Sequence, residues 1–263
     1  MNSTADLGAN LCCSEELVSA AAKQGSEFVV LPENFAYMSD QEQQKISIAE
    51  PFGNGKIQDF LSQQAKKHSI WLLGGTIPLQ SDTTKKVSAT SLLYDAQGQC
   101  AYRYDKIHLF DVLIDRGKSE RYQESKTFHA GKDVVVATTP FARIGMSICY
   151  DLRFPELYRA MHKEQPEILA IPAAFTKITG EAHWSILLRS RAIENLCYVV
   201  ASNQVGKHGG DRQTWGHSMI ISPWGEILDC IEQGQGFAIA DIDTPKQQTL
   251  RQNFPCLSHR ILY

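Results

Sequence analysis

The chain has 263 residues, 43% hydrophobic and 21% charged, a balance that suits a globular protein with ample material for a large core. A formal net charge of −3, with lysines and arginines scattered along the chain, offers no basic face to nucleic acid or to an anionic membrane. No apolar run reaches the roughly 18 residues that span a bilayer, and Met1-Asn2-Ser3-Thr4-Ala5-Asp6 lacks the basic and apolar regions of a secretory signal.

In chain order, residues 6–24 predict a helix capped by Asp6, with Leu7, Leu11, Leu17, Val18 and Ala21 apolar and Gly25 as its stop. Phe28-Val29-Val30-Leu31 reads as a buried strand running out at Pro32-Glu33-Asn34. A second amphipathic helix is predicted over 55–68, then a strand over 70–75. Strands over 88–95 and 100–104 flank Ala96-Gln97-Gly98 as a hairpin, and the second delivers Asp105-Lys106-Ile107-His108. Residues 111–131 have few apolar anchors and read as a long functional loop. Strands follow at 134–136 and 144–149, around Pro140, and a helix opens at Pro155. Residues 167–173 predict another buried strand, and 181–196 a helix with Trp184, Leu187, Leu188 and Ile193 facing inward. Strands at 198–205, at 217–222 and 226–229 around Pro223-Trp224-Gly225, and at 236–243 complete the set. Strands alternating with helices predict an α/β fold, and several strands are apolar on both faces, as between a helix layer and a second sheet. No linker or repeat divides the chain, so a single domain over 1–263 is predicted.

Three polar residues stand where apolar strands end: Glu33, Lys106 and Cys149. Taken singly, each has a plain structural explanation: a helix-starting carboxylate, a solvated lysine, a packed thiol. Together they stand where open α/β folds build ligand sites, at the carboxyl ends of strands. Their chemistry is also complementary. A thiol attacks as thiolate, so it wants a base and a nearby cation. Glu33 can take the Cys149 proton and later pass it to a leaving amine. Lys106 can stabilise the thiolate and the oxyanion, with the Tyr150 N–H as a second donor.

The strings Leu31-Pro32-Glu33-Asn34, Tyr104-Asp105-Lys106-Ile107-His108-Leu109 and Ile148-Cys149-Tyr150-Asp151-Leu152-Arg153-Phe154-Pro155-Glu156 resemble the Glu, Lys and Cys signatures of the nitrilase, or carbon–nitrogen hydrolase, superfamily. The likeness continues through Thr179-Gly180-Glu181-Ala182-His183-Trp184, residues 189–195 and Gly216-His217-Ser218 to Pro223-Trp224-Gly225, and so covers nearly the whole chain. It implies a four-layer αββα sandwich, usually a homodimer or larger, that cleaves non-peptide C–N bonds through a thioester without metal or cofactor. By the same likeness Cys149 is the nucleophile, Glu33 the base and acid, Lys106 the oxyanion group, and Glu124 a second glutamate beside the lysine.

Within the superfamily, Ile107-His108-Leu109-Phe110-Asp111 and the run from Cys149 to Tyr158 are most similar to the Nit group, which cleaves amides of acidic keto or dicarboxylic acids. Cys197-Tyr198-Val199-Val200-Ala201 and Gln204 lean toward its deaminated-glutathione amidases rather than its ω-amidases; N-carbamoyl hydrolysis uses the same triad. Such a small-molecule substrate needs a cation for its carboxylate. Arg153 is the candidate, with pairing to Asp151 as the alternative; Tyr150, Phe175 and Thr176 are expected to line the pocket. Family members begin with an apolar strand that has no counterpart before Met1-Asn2-Ser3-Thr4, which implies a sheet one strand short with unpaired edge groups.

The seven cysteines lack paired spacing and fit free thiols in a reducing cytoplasm. Gly117-Lys118-Ser119 lacks the upstream glycine of a phosphate loop, and the histidines show no metal-ligand spacing. Two competing readings remain: a Cys–His hydrolase with His108 or His183 as base, and a non-catalytic binding protein.

Overall fold

A computed structural model of the chain describes residues 1–39, 41–81, 85–116, 118–210 and 212–262. Its first half comprises α1 (Leu7–Lys23), β1 (Phe28–Val30), α2 (Lys56–His68), β2 (Trp71–Leu73), β3 (Ile77–Leu79), β4 (Ser88–Tyr94) and β5 (Cys100–Asp105). A hairpin of β6 (Asp111–Arg116) and β7 (Lys118–Gln123) follows. The second half holds β8 (Val136–Thr138), β9 (Arg143–Met146), α3 (Pro155–Met161), β10 (Ile168–Ala173), α4 (Lys177–Asn195) and β11 (Tyr198–Asn203). It closes with β12 (Val205–Lys207), β13 (Gln213–Trp215), β14 (Met219–Ile221), β15 (Ile227–Cys230) and α5 (Thr244–Asn253).

Local chemistry explains the helix starts. Asp6 Oδ1 accepts from the Ala9 N–H at 3.0 Å, which caps α1 as its sequence predicts. α2 is capped from a distance: both oxygens of buried Glu50 accept first-turn amides, from Ile57 at 2.6 Å and Gln58 at 3.1 Å. α4 starts four residues earlier than expected, because Thr176 serves as its N-cap.

The two main sheets stack face to face. In the first, β1 pairs parallel with β2, β2 and β3 lie along one edge of β4, and β5 covers the other edge. The second runs β15-β14-β11-β10-β9-β8, with β9, β10 and β11 parallel. Strand alternation sorts neighbouring leucines into different layers. Leu72 and Leu92 pack with Leu11, Val18, Ile57 and Leu61 of α1 and α2, whereas Leu73 and Leu93 pack with Ile144, Met146 and Ile171 of the second sheet. Trp184, Leu188 and Ala192 of α4 join that second core from its far side. The layer order is therefore helix, sheet, sheet, helix, the αββα sandwich implied by the family resemblance.

Several sequence expectations need correction. Residues 111–131 are not a plain loop: β6 and β7 pair in register from Asp111 opposite Gln123 to Arg116 opposite Lys118. This hairpin pairs with neither main sheet, and β7, with Tyr122 alone among polar and charged residues, shows no apolar alternation that would betray a strand in the sequence. Of the discarded phosphate-loop string, Gly117 lies outside the described residues. Ile193 does not face inward; it is 46% exposed, while Trp184 and Leu188 are fully buried. β3 was not expected, since its Ile77-Pro78-Leu79 sequence carries a proline that demotes a strand assignment.

Residues 236–243 form no strand, although they are apolar and extended. The reason lies next door. β1 has a strand partner on one side only, and a cavity of about 330 Å³ lined by Phe28, Val30, Phe237 and Ile239 lies between that free edge and residues 236–242. With the cavity between them, residues 236–243 and β1 form no ladder with each other.

Candidate active site

Glu33, Lys106 and Cys149 converge from three strand ends. Glu33 lies just past β1, Lys106 directly after β5, and Cys149 three residues past β9. Two glycines allow the close approach. A Cβ on Gly75 would stand 2.0 Å from Pro32 O, and one on Gly131 would stand 2.2 Å from Asp105 O. Glu33 is held through its backbone: Gln204 Nε2 donates to Glu33 O at 3.1 Å, and Thr76 Oγ1 accepts from the Asn34 N–H at 2.8 Å. Cys149 opens a 3₁₀ turn with φ +47°, a left-handed conformation that a non-glycine residue holds only when its surroundings over-determine it.

The source of that constraint is Asp151. Its carboxylate, fully buried, accepts from Tyr104 Oη at 2.7 Å and the Ile148 N–H at 2.9 Å through one oxygen. Its other oxygen accepts from the His108 N–H at 3.0 Å and meets His108 Nδ1 at 2.6 Å. The ring of His108 stacks on Phe154 with centroids 3.7 Å apart. Asp151 thus ties the turn that carries Cys149 to the strand that carries Lys106.

Lys106 lies between two carboxylates. Its Nζ donates to Glu33 Oε1 at 2.8 Å and to both oxygens of Glu124 at 2.9 Å. Glu124 also accepts from the Phe110 N–H at 2.6 Å, which fixes it at the end of the β6–β7 hairpin. The residues are 5%, 2% and 8% exposed at Glu33, Lys106 and Cys149, so these charges act in a poorly solvated space.

Burial and mutual charge set their protonation. Burial drives the Cys149 thiol well above its ordinary value, the Glu33 carboxylate adds to this, and Lys106 opposes it. Burial works against the charge on Glu33 as well, yet Lys106 outweighs it and holds the carboxyl below its ordinary value. Burial raises Glu124, with Lys106 opposing and the charges of Glu33 and Glu42 adding to the rise. Lys106 loses to burial but gains more from Glu124 and Glu33, and stays firmly protonated. The resting state is therefore thiol, carboxylate and ammonium. The Ala174 backbone also opposes the rise of the thiol, a group with no side-chain signal in the sequence.

These groups line a cavity of about 300 Å³, together with Tyr150, Arg153, Phe175, Thr176, Tyr122 and Arg212. The residues expected from the family resemblance therefore meet at one place, whereas His108 and His183, the alternative bases, do not line it. Arg153 does not pair with Asp151; its guanidinium lies 5.2 Å from the Phe175 ring centre and 5.9 Å from that of Tyr150. Its one hydrogen bond among the described residues joins Nη1 to His183 Nδ1 at 3.2 Å. Sequence reasoning missed Asp151, Glu42, Tyr122 and Arg212, because each is an ordinary polar residue until the fold gives it a neighbour. Trp184 packs as expected, its Nε1–H donating to His217 O at 2.8 Å. Among the described residues, no group of three or more His, Cys, Asp or Glu side chains is arranged to hold a metal ion, and no helix is long and apolar enough to cross a membrane. All seven cysteines are free.

Comparison with known proteins agrees with this geometry. The chain is 42% identical over 236 residues to the deaminated glutathione amidase of Yersinia enterocolitica, covering 89% of this chain and 82% of that one. It is also 42% identical to the deaminated glutathione amidase of Synechocystis sp. (strain PCC 6803 / GT-S), over 99% of this chain and 96% of the relative. The crystal structure of the C. elegans NitFhit protein superposes with a TM-score of 0.91 at 36% identity, covering 99% of this chain, which spans 63% of that longer one. The sequence model for carbon–nitrogen hydrolases matches residues 1–252, the stretch that builds both sheets and the cavity between their strand ends. With the fold, the relatives and the family match in agreement, the chain belongs to the carbon–nitrogen hydrolase family and is a hydrolase of carbon–nitrogen bonds.

Proposed function

We propose that the protein hydrolyses the amide bond of deaminated glutathione, or of a closely similar carboxylate-bearing amide, through a thioester on Cys149. The observation that carries this reading is Lys106, held between Glu33 and Glu124 beside the thiol, in a cavity that also contains Arg153 with no carboxylate partner among the described residues. Deaminated glutathione is the substrate in the names of relatives that match nearly the whole chain.

The chemistry follows from the resting protonation state. Because the thiol is held up and Glu33 held down, proton transfer accompanies attack rather than preceding it. Glu33 takes the S–H proton as sulfur bonds to the amide carbon. The charge displaced onto oxygen faces the Lys106 ammonium and the Tyr150 N–H. Collapse breaks the C–N bond, and Glu33 gives the proton to the departing nitrogen. Glu33 then takes a proton from water as the hydroxyl adds to the thioester. Cys149 leaves, recovers that proton, and the acid is released. Glu124 orients Lys106 and faces the substrate. Arg153 receives the acyl carboxylate as a two-pronged clamp, with Phe175 and Thr176 shaping the wall around it.

The same reading extends to the assembly. A patch of exposed apolar residues on one side, with Ile193 of α4 46% exposed, Trp224 60% and Phe254 49%, suits a self-complementary homodimer face. Seven free thiols suit a reducing cytoplasm, and one catalytic domain suffices for the reaction.

The test is amine or ammonia release from deaminated glutathione, α-ketoglutaramate, succinamate and N-carbamoyl amino acids, with mass spectrometry for an acyl group on Cys149. Turnover is expected on the first, with a trapped thioester. No turnover on the first two substrates, or an unreactive Cys149 in folded protein, overturns the proposal.

A further inference from the structure

The cavity holds a second guanidinium that the roles above leave unused. Arg212 stands between β12 and β13 and lines the same cavity as Cys149, with its side chain 17% exposed. Its hydrogen bonds run through one nitrogen: Nη1 donates to Glu42 Oε2 at 3.0 Å and to Ser39 O at 3.5 Å. Nε is buried without a partner, and Nη2 has none among the described residues.

Glu42 does not neutralise this group alone. The same carboxylate forms an ion pair with Lys45, which is 2% exposed and lies 5.4 Å from the centre of the Phe128 ring. Two cations, Lys45 buried and Arg212 partly buried, therefore share one carboxylate, an arrangement that favours an incoming anion. Lys45 and Arg212 outweigh the effect of burial and hold Glu42 down to about 2, so Glu42 stays ionised between its two cations. The Arg212 guanidinium lies 5.9 Å from the centre of the Tyr122 ring, on the wall formed by the β6–β7 hairpin.

The two arginines serve different ends of an amide. Arg153 lies over the rings of Tyr150 and Phe175, next to Cys149, whereas Arg212 is held by Ser39 and Glu42, in the segment that follows Glu33, and lies over the Tyr122 ring. During hydrolysis the acyl group stays with the sulfur, which places it on the flank of Arg153. The leaving nitrogen must come to Glu33, which protonates it, so whatever the amine carries extends toward Arg212.

We propose that Arg212 receives a carboxylate on the leaving amine. The substrate class is then an amide with an acidic group on each side of the scissile bond: an oxo-acid acyl group and an amino-acid or short-peptide amine. This rests on the proposed role of Glu33 as the acid and adds a selection the triad does not supply. An amide that releases plain ammonia leaves the Arg212 subsite empty.

The test compares two substrates that differ at one group: deaminated glutathione, whose leaving amine is cysteinylglycine, and its analogue with the glycine carboxylate converted to a carboxamide. A charge-assisted contact predicts that the wild-type enzyme favours the carboxylate by about 10- to 100-fold in kcat/KM, mainly through KM. In Arg212→Gln that preference falls to near unity. Equal turnover of both substrates by wild type removes the Arg212 subsite while leaving the amidase reading intact; turnover of neither removes the subsite, and the amidase reading falls with it only if α-ketoglutaramate is not turned over either. A folded Arg212→Gln enzyme that keeps the preference also overturns the subsite. The wild-type comparison decides the question even if the variant does not fold.

Discussion

Asp151→Asn is the sharpest probe of how Cys149, the proposed nucleophile, is held. The carboxylate is fully buried and receives two donors on each oxygen, from Tyr104 Oη and the Ile148 N–H on one and from the backbone N–H and ring Nδ1 of His108 on the other. An asparagine has the same shape but replaces one acceptor oxygen with an NH₂. The Tyr104 hydroxyl can rotate to accept, and His108 Nδ1 can accept in its other tautomer. The backbone amides cannot adapt, so one rotamer sets the NH₂ against the Ile148 N–H and the other sets it against the His108 N–H. An orphaned buried amide costs about 1–3 kcal/mol, and losing the charge from the remaining bonds adds about 1 kcal/mol. A loss of about 2–4 kcal/mol lowers the Tm of a chain of this size by about 4–16 °C. Activity should fall more than stability implies. Displacing the Cys149 turn, with its φ of +47°, by even about 1 Å can cost about 10²-fold in rate. Differential scanning calorimetry gives the first quantity, and kcat on deaminated glutathione well below the variant's Tm gives the second. A variant with wild-type Tm and wild-type kcat refutes the view that Asp151 fastens the catalytic turn.

The remaining predictions concern the charges and the surface. Glu33→Gln is expected to lower kcat by about 10²- to 10⁴-fold, while His183→Asn stays within an order of magnitude of wild type; the reverse pattern would restore a Cys–His mechanism. Lys106→Met leaves Glu33 and Glu124 buried together without their cation. Their folded pKa values then rise above the unfolded ones, so stability is greatest in acid and is lost as pH climbs through the folded values. The variant's Tm deficit relative to wild type should therefore be larger at pH 8 than at pH 5.5, and a deficit independent of pH counts against the paired-carboxylate account. Trp224→Glu combined with Ile193→Glu should convert a wild-type dimer to monomer in sedimentation velocity. A wild type that sediments as monomer at micromolar concentration removes the proposed dimer face.

Much of the fold can be read before folding because it follows from short-range pattern. The apolar runs at Phe28-Val29-Val30 and Ile168–Ala173, the Asp6 cap and the apolar stripe of α1 are local signals, and the structure reproduces them. The meeting of Glu33, Lys106 and Cys149 in one cavity was also legible, because each ends an apolar strand and sits in a distinctive string. What had no local signature came out wrong or not at all. The β6–β7 hairpin buries no face in either main sheet, so its sequence looks like a loop. Residues 236–243 have strand composition but no strand, because a strand needs a neighbour to take its amides and the space beside β1 holds none.

The amino-acid sequence by itself determined which groups were available: a thiol, a base, a cation and the backbone turns that present them. Only the tertiary structure decided what each group is. Burial and charge pairing are properties of neighbours, and those neighbours come from distant parts of the chain. Glu33 and Lys106 lie 73 residues apart, yet meet at 2.8 Å. That contact keeps one an anion and the other a cation in a space where an isolated charge would not survive. Arg153 and Arg212 are alike as letters; the fold sets one over the rings of Tyr150 and Phe175 and ties the other to Glu42 beside Tyr122, on the wall of one cavity.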